Sequence, residues 1–251
     1  MTATTTTAIP TNNMQNALVL TAAGNSTRMG GGVKKEYLPL LSSSDGTVSV
    51  LSSALHAFLS TSFFKFIVIT LPFNGEQEAR LILAADLRIK SYLHSPDITL
   101  LFTEGGSTRQ DSVKKGLETL ASRTGVPEHT KIGTVLIHDG ARPWVKAETI
   151  SAVLEGVRLH GASVPAVESV DTQKETDLNG KIIRHLDRTR ISSVQTPQGF
   201  LFEPLLEAHR KAEKDGRTYT DDTEIWGRYA GDVYICAGDR GNRKVTFQGD
   251  I

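Results

Sequence analysis

Four short apolar runs punctuate the first half of the chain: Ala17 to Leu20, Phe66 to Thr70, Thr99 to Phe102 and Thr134 to Ile137. Each is short and continuous, the pattern of a strand buried on both faces. Between them apolar residues recur at helical spacing, as in Leu51, Leu55, Phe58 and Leu59, and again in Val113, Leu117 and Leu120. This alternation predicts βαβ units and an α/β fold around a mostly parallel sheet. The texture changes after a helical stretch near Ala147 to His160. Ser163 to Val170 reads as a strand, and Asn179-Gly180 signals a hairpin turn. A hairpin spanning about 170–190 has no place in a parallel series, so it is expected to project as an arm that packs on another subunit. A Thr-Pro-Gln segment, helices from about Glu203 to Lys214 and Asp222 to Tyr229, and a strand Val233 to Ala237 complete the pattern, with no internal repeat.

Composition narrows the classes. A chain of 251 residues can bury a sizeable core, and residues 17–251 are expected to form one domain. Lys plus Arg equals Asp plus Glu at 28 each, so no polyanion-binding surface is expected and nucleic acid is not a predicted partner. The one cysteine, Cys236, lies in an apolar run and reads as a buried structural thiol. No apolar stretch reaches the roughly 18 residues of a membrane span, so a soluble, cytoplasmic protein is expected. Met1 to Asn16 is rich in Thr and Asn, uncharged, and without the apolar core of a secretory signal. It reads as a disordered tail, and its lack of Arg argues against a transit peptide.

The candidate chemistry sits in the loops that follow the strands, where open α/β sheets bind ligands. Behind the first strand, Gly24 offers a tight turn, Asn25, Ser26 and Thr27 offer donors, and Arg28, Lys34 and Lys35 offer charge for a polyphosphate. The loop matches neither the ATPase nor the dinucleotide fingerprint, and without its cations it would read as a simple βα turn. Behind the third strand, Gly105 and Gly106 would let the backbone approach a flat base. Ser112, at a helix start, would cap the helix or read a base edge. Behind the fourth, Asp139 and Arg142 form either an ion pair or a divided site, Asp139 holding a metal or hydroxyl and Arg142 a phosphate. His138 reads as a packed, hydrogen-bonded residue rather than a metal ligand. Lys244 adds a cation behind the last strand.

The order of these segments resembles the 2-C-methyl-D-erythritol 4-phosphate cytidylyltransferase family. The motifs are Ala22-Ala23-Gly24 to Arg28-Met29, Lys35-x-Tyr37-Leu38, Gly105-Gly106 to Asp111-Ser112 and His138-Asp139-x-Ala141-Arg142-Pro143. They continue through Asp171-Thr172, Thr196-Pro197-Gln198, Thr220-Asp221 and Asn242-x-Lys244-Val245-Thr246. The chain departs from the family at Lys34, where Pro is usual, and at Gly140, where Ala is usual. It also stops at Ile251, where relatives continue into a further helix.

The resemblance implies a Rossmann-like, three-layer fold with a β-hairpin arm and a homodimer. It implies transfer of CMP from CTP to 2-C-methyl-D-erythritol 4-phosphate with release of pyrophosphate, assisted by Mg²⁺. Ala22, Ala23, Gly24, Gly105, Gly106 and Ser112 would surround the nucleoside. Arg28, Lys35 and Lys244 would be catalytic around the triphosphate. Asp139, Arg142 and Thr196 would hold the acceptor, Thr172 and Arg188 coming from the other subunit's arm, with Asp139 the candidate metal ligand. The same nucleotide loops would serve a ribitol 5-phosphate cytidylyltransferase, and a nucleotide-binding protein without turnover is a further alternative. A Rossmann dehydrogenase lacks the fingerprint glycines here.

Overall fold

A computed structural model describes residues 14–24, 26, 34–43, 46–122 and 131–251. Strand β1 (Met14–Thr21) runs between β4 (Phe64–Leu71) and β6 (Lys131–Asp139), parallel to both, and β5 (Thr99–Glu104) extends the sheet beyond β4. Residues 17–20 of β1 are fully buried, as expected of a strand covered on both faces. Alternation then divides the core. Leu18, Leu20, Ile67 and Ile69 face one cluster, and Ala17, Val19, Phe66 and Val68 face the other. Helices α1 (Val50–Leu59), α2 (Glu76–Ala84) and α5 (Ala147–His160) contribute to the first layer. Helices α4 (Arg109–Ser122), α6 (Phe202–Lys214) and α7 (Asp222–Tyr229) contribute to the second. The three-layer α/β expectation therefore holds. The short α3 (Lys90–Leu93) leads into β5.

The far end of the sheet departs from a parallel series. There β7 (Ala162–Glu168) meets β10 (Ser192–Val194) and β11 (Gln198–Leu201), both antiparallel to it, while β12 (Tyr234–Ala237) runs parallel along its other edge. Because β11 is also antiparallel to β6, the segment around Thr196 is carried back to the carboxyl end of β6. Two hairpins stand outside the main sheet. One pairs β2 (Pro39–Ser43) with β3 (Gly46–Ser49), and the other pairs β8 (Lys174–Thr176) with β9 (Ile182–His185). The second is the expected arm. Its turn has Gly180 at φ 83°, and the Asp177 carboxylate accepts the Asn179 and Lys181 N–H groups, each at 2.9 Å.

Three expectations need correcting. Met14 to Asn16, expected in the tail, instead pair with β6 as the start of β1; residues 1–13 lie outside the described ones. Cys236 is half-buried on the outer strand β12 rather than enclosed, although burial still raises its thiol pKa. Among the described residues of the first loop the left-handed one is Ser26, at φ 50°, not Gly24.

Candidate active site

Four strand ends converge on a cleft of about 320 Å³. Its lining includes Ala23, Gly24, Lys35, Gly106, Arg109, Ser112, Asp139 and Lys244. The base of the Gly-Gly loop is set by close packing. A Cβ on Gly105 would lie 2.2 Å from Ala23 Cβ and 2.7 Å from Ser112 Oγ, so this position admits no side chain. Ser112 does not cap α4. Its hydroxyl donates to Thr108 O at 2.9 Å and accepts the Gly106 N–H at 3.0 Å, which ties the loop to the first helical turn. The cap belongs to Thr108 and Asp111: Thr108 Oγ1 accepts the Asp111 N–H at 3.0 Å and Asp111 Oδ2 accepts the Thr108 N–H at 3.1 Å.

Asp139, the last residue of β6, is the electrostatic centre. Lys244 Nζ lies 2.6 Å from its Oδ2, Arg109 Nε 3.3 Å from its Oδ1, and Arg142 Nε 3.8 Å from Oδ2. Burial alone would raise its pKa, but Lys244, Arg109 and Arg142 hold the carboxyl well below the usual carboxylate range. Behind it, the Asp139 N–H donates to Thr196 Oγ1 at 3.2 Å, and that hydroxyl lies 2.9 Å from His138 Nδ1. His138 Nε2 is 3.1 Å from Arg142 O, an acceptor, so Nε2 carries the proton and the Thr196 hydroxyl donates to Nδ1. Burial pushes the His138 pKa down to about 4. Both ring nitrogens are thus engaged in the packed role expected for it.

The segment after β12 completes the cleft. Asn242 Nδ2 donates to Thr196 O at 2.8 Å, Arg142 Nη1 to Asn242 O at 2.7 Å, and the Val245 N–H to Ala141 O at 2.8 Å. These bonds place Lys244 over Asp139. Lys35 joins from the other side, its Nζ donating to Val245 O at 3.2 Å and its N–H to Ser26 Oγ at 3.1 Å. Lys34 donates to Gly24 O at 2.9 Å and pairs with buried Glu36 at 3.4 Å.

The expected site residues therefore separate into groups. Ala23, Gly24, Lys35, Gly106, Ser112, Asp139 and Lys244 line one cleft. Ala22 is a core residue, with its N–H bonded to Thr70 O at 2.9 Å. Gly105, Arg142 and Thr196 adjoin the lining, Arg142 beside Asp139 and Thr196 accepting the Asp139 N–H. Thr172 and Arg188 stay on the exposed arm, where Arg188 Nη1 donates to Val170 O at 3.0 Å, and do not reach this chain's own cleft. Arg28 lies outside the described residues. The donor set does not fit Asp139 as a Mg²⁺ ligand, because its oxygens already face three cations. Glu36, the other acid in the lining, is engaged by Lys34 and Ser26. Arg109 was legible as part of a loop but carried no assigned role; nothing in the sequence signals that Asp139 and Asp222 flank it.

An open α/β sheet with a cation-lined cleft at the carboxyl ends of its strands defines a nucleotide-binding protein of the phosphate-handling kind. The family model described as IspD: 2-C-methyl-D-erythritol 4-phosphate cytidylyltransferase matches residues 16–251. The 2-C-methyl-D-erythritol 4-phosphate cytidylyltransferase of Pelotomaculum thermopropionicum is 33% identical over 235 residues, covering 94% of this chain and 90% of that protein. The bifunctional enzyme IspD/IspF of Bradyrhizobium diazoefficiens is 37% identical over 241 residues, 95% of this chain but only 54% of that longer protein. The crystal structure of the Thermus thermophilus 2-C-methyl-D-erythritol 4-phosphate cytidylyltransferase superposes with a TM-score of 0.66 at 27% identity, covering 92% of this chain and 93% of that one. The chain belongs to the 2-C-methyl-D-erythritol 4-phosphate cytidylyltransferase family, a family of nucleotidyltransferase enzymes.

Proposed function

We propose that this cleft transfers CMP from CTP to 2-C-methyl-D-erythritol 4-phosphate, forming 4-diphosphocytidyl-2-C-methyl-D-erythritol and pyrophosphate. The observation that carries the proposal is the grouping of Lys244, Arg109 and Arg142 around Asp139, in a cleft also lined by Lys35, Gly106 and Ser112. An acceptor phosphate oxygen attacks the α-phosphorus of CTP, a P–O bond forms, and the bond to the β-phosphate oxygen breaks with pyrophosphate leaving. The nucleophile is already ionised, so no general base is required. What the reaction needs is charge compensation between two anions. Lys35 and Lys244 supply it, with Arg28 assigned the same task by family position. An ammonium has three donors, so Lys244 can keep Asp139 while offering N–H groups to a phosphate.

Asp139 and Arg142 are proposed to hold the acceptor, and Ala23, Gly24, Gly106 and Ser112 the nucleoside. Thr196 supports Asp139 from behind. Thr172 and Arg188 are proposed to act in a partner subunit's cleft, which makes the working unit a homodimer. Exposed Ile182 and Ile183 on the arm support that reading, since isolated hairpins gain by covering such side chains. Magnesium is proposed only as a companion of the triphosphate, without a protein ligand. No described helix is long and apolar enough to cross a membrane. A cytoplasmic enzyme without a nucleic-acid partner is the accompanying proposal. The test is pyrophosphate release with CTP, Mg²⁺ and 2-C-methyl-D-erythritol 4-phosphate, against ribitol 5-phosphate and no-acceptor controls. Release with the first acceptor alone supports the proposal; release only with ribitol phosphate, or CTP binding without release, overturns it.

A further inference from the structure

Arg109 connects the cleft to the buried region behind it. Its Nε lies 3.3 Å from Asp139 Oδ1, and its Nη1 donates to Asp222 Oδ2 at 2.7 Å. Asp222 is fully buried. Its second oxygen lies 3.1 Å from His209 Nε2, and its backbone N–H donates to Gln198 Oε1 at 3.2 Å. His209 sits on α6, Asp222 opens α7, Arg109 opens α4 and Asp139 ends β6, so four elements meet through one line of charged and polar side chains.

The three cations at Asp139 are not equivalent. Arg142 is otherwise bonded to the loop carbonyl of Asn242 and Lys244 is carried on the loop after β12, whereas Arg109 is also anchored to a second buried carboxylate. A guanidinium is planar and rigid, so fixing one nitrogen on Asp222 fixes the direction from which another meets Asp139. Arg109 Nη2 is shielded from solvent and has no acceptor, leaving the two carboxylates as the groups that hold the head. A lysine there would keep the charge but present a single ammonium, with no rigid fork to span both.

We propose that Arg109 is a positioning residue, clamped by Asp222 and His209, that orients the Asp139 carboxylate for the acceptor substrate. The proposal rests on the assignment of Asp139 to the acceptor. It gives the Thr220-Asp221-Asp222 segment, which does not itself line the cleft, a part in the chemistry.

The experiment is two-substrate steady-state kinetics on the full chain and on Arg109→Lys, Asp222→Asn and the double variant, with a thermal melt of each. Arg109→Lys is expected to raise KM for the acceptor by about tenfold or more while KM for CTP stays within about twofold. Asp222→Asn is expected to show the same split, and the double variant to be no worse than the more impaired single, as for residues acting through one contact. Equal increases in both KM values, a fall in kcat with both KM values unchanged, or additive effects would overturn the clamp. Should Asp222→Asn fail to fold, the KM split of Arg109→Lys decides. Should the unaltered chain turn over neither acceptor, the functional proposal fails separately. Crystal structures of wild type and Arg109→Lys then decide: a turned Asp139 carboxylate supports the clamp and an unchanged one overturns it.

Discussion

Asp139 meets Lys244 at 2.6 Å in a pocket that excludes water from most of the carboxylate, so the pair is both a structural and a chemical unit. Lys244→Ala should lower turnover by about two to three orders of magnitude, the scale for deleting one preorganised electrostatic stabiliser. Single-turnover pyrophosphate release would measure it, and a folded variant with normal turnover would contradict the assignment. His138 makes a separate prediction. Its pKa falls from 6.5 to about 4 on folding, so the unfolded chain binds the proton more readily. Its contribution to stability is therefore complete above pH 6.5 and is lost as pH falls towards about 4. Ring-proton NMR titration should give a midpoint near 4, and denaturation midpoints should decline across the same interval. At this scale the sequence was informative where residue type constrains chemistry. Asp139, Lys35 and Lys244 could be named from their loops. Thr196 could not be separated from a substrate contact, because its hydroxyl bond to His138 joins residues 58 apart in the chain.

At the scale of elements, β1, β4 and β6 were legible because strands buried on both faces leave unbroken apolar runs, and the half-buried edge strand β5 was legible from its short apolar run Leu100 to Phe102. Strands β10 and β11 were not, being three and four residues long with β10 wholly exposed, so neither run length nor alternation marks them. The β2–β3 hairpin escaped for a similar reason, its polar run Ser42 to Ser49 resembling a loop. The Gly-Gly loop tests how local geometry serves binding. Gly105→Ala would force a methyl to 2.2 Å from Ala23 Cβ, displacing either the first loop or the start of α4. CTP affinity measured by calorimetry should fall by about tenfold or more, with the overpacking cost confined to roughly 1–3 kcal/mol in denaturant. Unchanged CTP affinity would remove the loop from the nucleotide site. Gly156→Ala is the control at the α5–β7 contact. It would meet Ser163 Oγ at 2.2 Å, where neither residue lines the cleft, and should lower stability while sparing CTP affinity.

For the whole molecule, the arm and the cleft of one chain do not meet, which makes subunit exchange decisive. Arg188→Ala and Lys244→Ala are each expected to be inactive alone. If the arm serves a neighbour, mixed dimers rebuild one complete cleft, and equimolar remixing should recover roughly a quarter of wild-type activity. No recovery from chains that exchange freely would confine the site to one subunit.

The three cations around Asp139 also bear on how the molecule is assembled in time. Arg109 and Arg142 lie within thirty positions of Asp139, whereas Lys244 follows it by 105. A ribosome releases the central strands with two of the balancing charges already attached, well before the third emerges. The carboxylate therefore has two of its counter-charges within short chain reach as the sheet condenses, and Lys244 is the last of the three to arrive.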